Sequence, residues 1–175
     1  MRDALRVRPA SDEYAPFYSG YVDLVSDGSI FETLNEQLAR FERLFELAGA
    51  DRADFRYAPD KWSVRDVITH VNDTERVMSF RALAFARGSV GPWPGMEHEA
   101  WAREARLRQR PFQELVTEFV NVRRSSISLF KGFSEDMLAR RGLASGNEFT
   151  VRALIWITAG HAQHHANVLN ERYLV

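Results

Sequence analysis

The sequence predicts an all-α fold, a four-helix bundle, and three observations carry that reading. Four segments repeat apolar side chains at spacings of three and four. No stretch alternates apolar and polar residues with the period of two expected of a strand. Each periodic segment is about 20 residues long and modest loops join them, the proportions of a bundle. With 175 residues and no repeat, linker or low-complexity tract, the chain reads as one domain over residues 29–175, preceded by an irregular lead-in over residues 1–28. Pro9, Pro16, Tyr14, Tyr18 and Tyr21 stand in that lead-in without a sustained period.

Ser29 caps the first helix, whose stripe of Phe31, Leu34, Leu38, Phe41, Leu44, Phe45 and Ala48 stops at Gly49. Ser63 and Asp66, three apart, form a capping box that opens the second helix, Val64 to Arg87. Its apolar face is Val64, Val67, Ile68, Val71, Met78, Ala82 and Phe85. Gly88 and the Pro92, Pro94, Gly95 cluster then impose a loop, with a short helix expected over Glu97 to Arg108. Pro111 suits the first turn of the third helix, which carries Phe112, Leu115, Val116, Phe119, Val122, Ile127, Leu129 and Phe130 toward Gly132. Ser134 to Leu138 is a turn or short helix, and Gly142 and Gly146 break the chain again. Thr150 caps the fourth helix, Val151 to Tyr173, with Leu154, Ile155, Thr158, Ala162 and Leu169 facing the core.

Composition narrows the function. The 23 basic and 24 acidic side chains nearly cancel, so no global field draws the chain to nucleic acid or an anionic membrane. The longest apolar stretch, Ala153 to Ile157, is far short of a membrane span, and the charged N-terminus lacks a signal core; a cytoplasmic location is expected. Without cysteine there is no disulfide, no thiolate metal ligand and no thiol nucleophile. Metal or covalent chemistry must use other side chains.

The histidines are the informative residues. At about 100° per residue, His161 and His165 stack on the inward stripe of the fourth helix, while His164 points aside as a surface or supporting group. Spaced i and i+4, the pair can offer two imidazole nitrogens to one ion. His70 sits at the edge of the second helix's apolar stripe, in line with Ser63, Val67, Thr74 and Val77. If those two helices are neighbours, His70, His161 and His165 form a three-nitrogen set that leaves a coordination position open. A lone helical histidine is more often a surface or hydrogen-bonded core residue, but two imidazoles on one apolar face each need a partner, and a shared ion satisfies both. His98 reads as a solvated loop residue. Glu75 falls in the middle of an apolar stripe, so an ion pair with Arg81 or Arg152, or a helix cap, is expected ahead of a catalytic role. Trp62, Trp93, Trp101 and Trp156 read as core or loop anchors.

Two runs resemble the DinB-like superfamily, which includes YfiT-like metal-dependent hydrolases and the bacillithiol and mycothiol S-transferases. Pro59, Lys61, Trp62, Ser63, Val64, Arg65, Asp66 and Val67 lead to His70 and then Asp73, Glu75 and Arg76. Val151 to Leu154 lead through Ala159, Gly160, His161, Ala162, Gln163, His164 and His165 to Glu171, Arg172, Tyr173 and Leu174. The resemblance covers about residues 29–175, and the paired runs in this order make it fairly specific. It implies an up-down-down-up bundle, frequent homodimers, and a divalent transition metal such as nickel or zinc on His70, His161 and His165; the candidates in this sequence for a group supporting the ligands from behind are Glu75 and Glu97. It implies a small-molecule substrate, with a low-molecular-weight thiol or water as nucleophile. An open divalent ion activates either one at neutral pH. Two readings compete: a metal-dependent thiol transferase or hydrolase, and a noncatalytic metal-binding or stress-associated helical module whose ion only staples two helices. A plain metal-free interaction protein is a third.

Overall fold

The computed structural model describes residues 3–106 and 110–174, and its frame is four long helices. In chain order, the elements are α1 (Ser19–Val22), α2 (Ile30–Ala48), α3 (Val64–Ala86), α4 (His98–Arg106), α5 (Phe112–Lys131), α6 (Glu135–Leu138), strands β1 (Arg141–Ala144) and β2 (Asn147–Thr150), and α7 (Val151–Val168). The bundle is α2, α3, α5 and α7. Caps start three of the four: the Ser29, Ser63 and Thr150 side chains accept from Glu32, Asp66 and Ala153 backbone N–H groups. At Ser63 the box is complete, because the Asp66 carboxylate also accepts from the Ser63 N–H at 2.9 Å.

Contacts between side chains give the helix directions. Gln37 meets Ala159 and Arg40 meets Asn167, so α2 and α7 run parallel. Asn72 meets Leu115, Glu75 meets Arg123 and Ser79 meets Ser126, so α3 and α5 are parallel too. Trp62 meets Tyr173 while His70 meets His161, which makes α3 and α7 antiparallel. Phe45 meets Phe112 and Gln37 meets Arg123, which does the same for α2 and α5. The order is therefore up-down-down-up, with α2 diagonal to α3. Parallel neighbours α3 and α5 need a long return, and residues 87–111, including α4, supply it.

Two buried apolar clusters fill the bundle. One gathers Phe85, Phe130, Phe133, Phe149, Leu154 and Trp156 at the hairpin end. The other gathers Phe41, Phe45, Val67, Phe119, Ala166 and Tyr173 at the opposite end. Burying each such side chain contributes about 1.5–3 kcal/mol. Helix α7 is buried on nearly every side and continues into a π turn, Leu169–Tyr173.

Two features depart from the sequence reading. Residues 141–150 pair as an antiparallel hairpin, Arg141 with Thr150 through Ala144 with Asn147, where only breaks were expected. Gly142 is required there, since a Cβ would lie 2.2 Å from the Phe85 ring. The lead-in is not wholly irregular: 3₁₀ turns at Asp3–Leu5 and Pro16–Tyr18 precede α1, which lies on α7. Gly160 permits that approach, because a Cβ would come within 2.0 Å of the Tyr21 carbonyl oxygen. The short loop helix begins at His98, and its expected end at Arg108 falls outside the described residues.

Candidate metal centre

The antiparallel contact of α3 with α7 brings His70 opposite the His161/His165 pair. His161 Nε2 lies 3.0 Å from His70 Nε2 and 3.1 Å from His165 Nε2. One ring nitrogen from each residue falls within 4.8 Å of the other two. Ordinary hydrogen bonding does not account for this convergence. A ring nitrogen carries either one proton or one lone pair, so His161 Nε2 cannot make two full N–H···N bonds at once. Nitrogens about 2.0–2.1 Å from a shared ion would sit at nearly this mutual spacing.

The electrostatics suit a cation of that kind. Burial, with smaller contributions from the neighbouring His98 and His164, pushes His70 down to about 4. Burial likewise holds His161 and His165 well below the ordinary histidine value, with the other imidazoles adding to the effect. All three are therefore neutral near pH 7, with lone pairs free for a metal. Aromatic edges fix the rings. Trp62 lies 4.6 Å from His70, and Tyr21 lies 5.5 Å from His161 and 5.6 Å from His164. The Nδ1 atoms of His70 and His165 are buried and make no hydrogen bond among the described residues.

Neither expected supporting carboxylate bonds to these imidazoles. Glu75 follows His70 by five residues, which turns it about 140° around α3, and it meets α5 instead. There its Oε2 pairs with Arg123 Nη2 at 2.9 Å, both side chains being almost fully buried. Arg123 also donates to Gln37 Oε1, and Gln37 Nε2 donates to the Ala159 carbonyl on α7. The ion-pair partners expected for Glu75 are engaged elsewhere: Arg152 with Glu13, and Arg81 with the Pro94 carbonyl and Ser145 hydroxyl. Glu97 is exposed ahead of α4. It is Glu99 that reaches the site's wall, accepting from Trp62 Nε1 at 3.3 Å.

A cleft of about 370 Å³ opens onto His70 and His161. Phe17, Tyr18, Met78, Met96 and Ile157 give it apolar walls, and His98 and Arg81 are its charged-type residues. The lead-in thus builds part of the site, which the sequence reading missed. His98, read as merely solvated, stands at the cleft mouth, 6.0 Å from the His70 ring. Its place beside the Pro92–Gly95 turn was the available signal.

The family model of the DinB superfamily matches residues 33–169. The chain belongs to the DinB superfamily. No curated protein matches it. Among solved structures this DinB-superfamily chain is similar to YfiT from Bacillus subtilis, described as a probable metal-dependent hydrolase with an unusual four-helix bundle topology. The two share 14% identity with a TM-score of 0.73, over 95% of this chain and 91% of that one. That likeness is one of fold. No helix among the described residues is long and apolar enough to cross a membrane.

Proposed function

We propose that this DinB-superfamily chain is a metal-dependent enzyme that directs a low-molecular-weight thiol or water onto a small electrophilic substrate. The observation that carries the reading is the meeting of three neutral imidazoles, two of which, His70 and His161, line an apolar cleft. His70, His161 and His165 would hold the ion, with nickel or zinc suited to an all-imidazole set. Held there, a divalent ion would supply the acidification that turns a thiol or water into a nucleophile at neutral pH.

The chain's own residues do the rest. Trp62 and Tyr21 hold the rings of His70 and His161 in place. Tyr18, Met78 and Ile157 take the apolar part of the substrate and displace water from it. His98 stands exposed at the mouth, where an entering substrate would meet it. With no cysteine in the chain, the thiol arm needs a thiol from solution.

The test loads the protein with nickel or zinc and supplies cysteine with 1-chloro-2,4-dinitrobenzene, or 4-nitrophenyl acetate with water alone. Metal-dependent turnover of one pair, lost in His161→Ala, is expected. Turnover that survives His161→Ala or added chelator would overturn the reading.

A further inference from the structure

The cleft that begins at the histidines ends on a buried cation without a counter-charge. Arg81 follows His70 by eleven residues on α3, which returns it to the same face about 16 Å farther along the axis. Thr74, Val77 and Met78 line the cleft between them. Arg81 is only 3% exposed, and a guanidinium buried that far is ordinarily paired. Arg123, the other deeply buried arginine, has Glu75. No aspartate or glutamate pairs with Arg81 among the described residues. Its two hydrogen bonds both leave from Nη2, to the Pro94 carbonyl at 2.7 Å and the Ser145 hydroxyl at 3.0 Å, and both acceptors are neutral. Nη1 and Nε make none among the described residues.

Arg81 is not needed to hold the loop it touches. Backbone bonds already do so: Leu143 N–H to the Val90 carbonyl at 2.8 Å, Trp93 N–H to Leu143 at 2.9 Å, and Ser145 N–H to Trp93 at 3.0 Å. Among the described residues the cleft lining contains no carboxylate and no lysine, which leaves Arg81 as its permanent charge. A single fixed positive charge among apolar walls matches a single negative charge on the ligand. Tyr18 stands on the same wall, and burial raises its pKa, which keeps the phenol O–H available as a neutral donor.

We infer that Arg81 anchors a carboxylate, so that the substrate is an elongated, largely apolar monocarboxylate whose far end reaches the three histidines. The placement of its reactive end rests on the function proposed above, whereas the anion site stands on Arg81 itself.

The test is calorimetric titration of 4-phenylbutanoate, 4-phenylbutanamide and inorganic phosphate into zinc-loaded protein and into His165→Ala. The acid is expected to bind at least tenfold more tightly than the amide in both proteins, with phosphate weaker than the acid. That preference should shrink to within twofold in Arg81→Met. It should shrink equally in Ser145→Glu, which keeps Arg81 and brings a carboxylate to its guanidinium. Equal binding of acid and amide, binding of neither, phosphate binding as tight as the acid, or a preference that survives either Arg81→Met or Ser145→Glu would overturn the inference. A preference confined to the zinc-loaded protein would place the carboxylate on the ion and overturn it as well. Absence of metal-dependent turnover in the metal-loaded wild type, with the Arg81 preference intact, would refute the enzymatic reading alone.

Discussion

His70, His161 and His165 lose their affinity for protons because burial removes the water that would solvate an imidazolium, and this fixes the sign of a pH dependence. In the unfolded chain each titrates near about 6.5. Below that value the unfolded state takes protons that the folded state refuses. Stability of the metal-free protein should therefore fall as pH drops from about 6.5 toward about 4, by up to about 1.4 kcal/mol per pH unit for each histidine. Urea midpoints at pH 7, 6 and 5 check this, and His161→Ala/His165→Ala should flatten the slope. A lower window belongs to Asp66 and Glu118. Burial alone would raise both, but the Arg106 and Ser63 hydrogen bonds at Asp66, and the Arg110 and Arg76 bonds at Glu118, leave them lowered. Their contribution is present above the ordinary carboxylate range and is lost only beneath it. Glu75 presents the opposite case, a carboxylate whose value is structural. Glu75→Ala leaves Arg123 buried and unpaired, and should cost about 3–5 kcal/mol in urea unfolding. The protein that remains folded should keep its metal content. Glu75 was legible in the sequence as a charge within an apolar stripe. Its partner was not, because pairing with Arg123 depends on α3 and α5 running parallel, which local periodicity does not encode.

The long helices were legible because period and caps agreed: Ser29, Ser63 and Thr150 each precede an apolar stripe, and each caps a helix in the structure. The hairpin was not. Its strands are four residues each, too short for alternation to register, and one inward position is Gly142, which has no side chain to count. Helix α1, a single turn, escaped for the same reason, although it carries Tyr21 to His161. The α1–α7 contact yields a prediction of its own. Replacing a helical glycine by alanine ordinarily stabilises by about 1 kcal/mol. Gly160→Ala should do the reverse, since its Cβ would strike the Tyr21 carbonyl, and overpacking of this kind costs about 1–3 kcal/mol. A lower melting temperature, with weakened metal retention as Tyr21 shifts from His161, is the expected result. A higher melting temperature would mean that the lead-in does not rest on α7 as described.

For the molecule as a whole, the apolar clusters toward the two ends of the bundle set the expectation for an ion that serves chemistry rather than one that staples the fold. Each cluster closes over its own aromatic side chains, so chelation should leave the helical circular dichroism intact and lower the melting temperature only by the linkage of metal binding. Collapse of the helical signal on chelation would favour the noncatalytic staple. The bundle was legible from helix count and loop length. The coming together of His70 with His161 and His165 was legible only on the condition that the second and fourth long helices touch. The cleft was not legible, because it is assembled from the lead-in, α3, the loop after α3, the hairpin turn and α7. The central claim, that these three imidazoles hold a metal, is tested most directly by elemental analysis of protein purified without an affinity tag, wild type beside His165→Ala. About one divalent transition-metal ion per chain, lost in the variant, is the predicted result. No metal in the wild type after reconstitution with nickel and zinc, or equal metal in the two proteins, would contradict it.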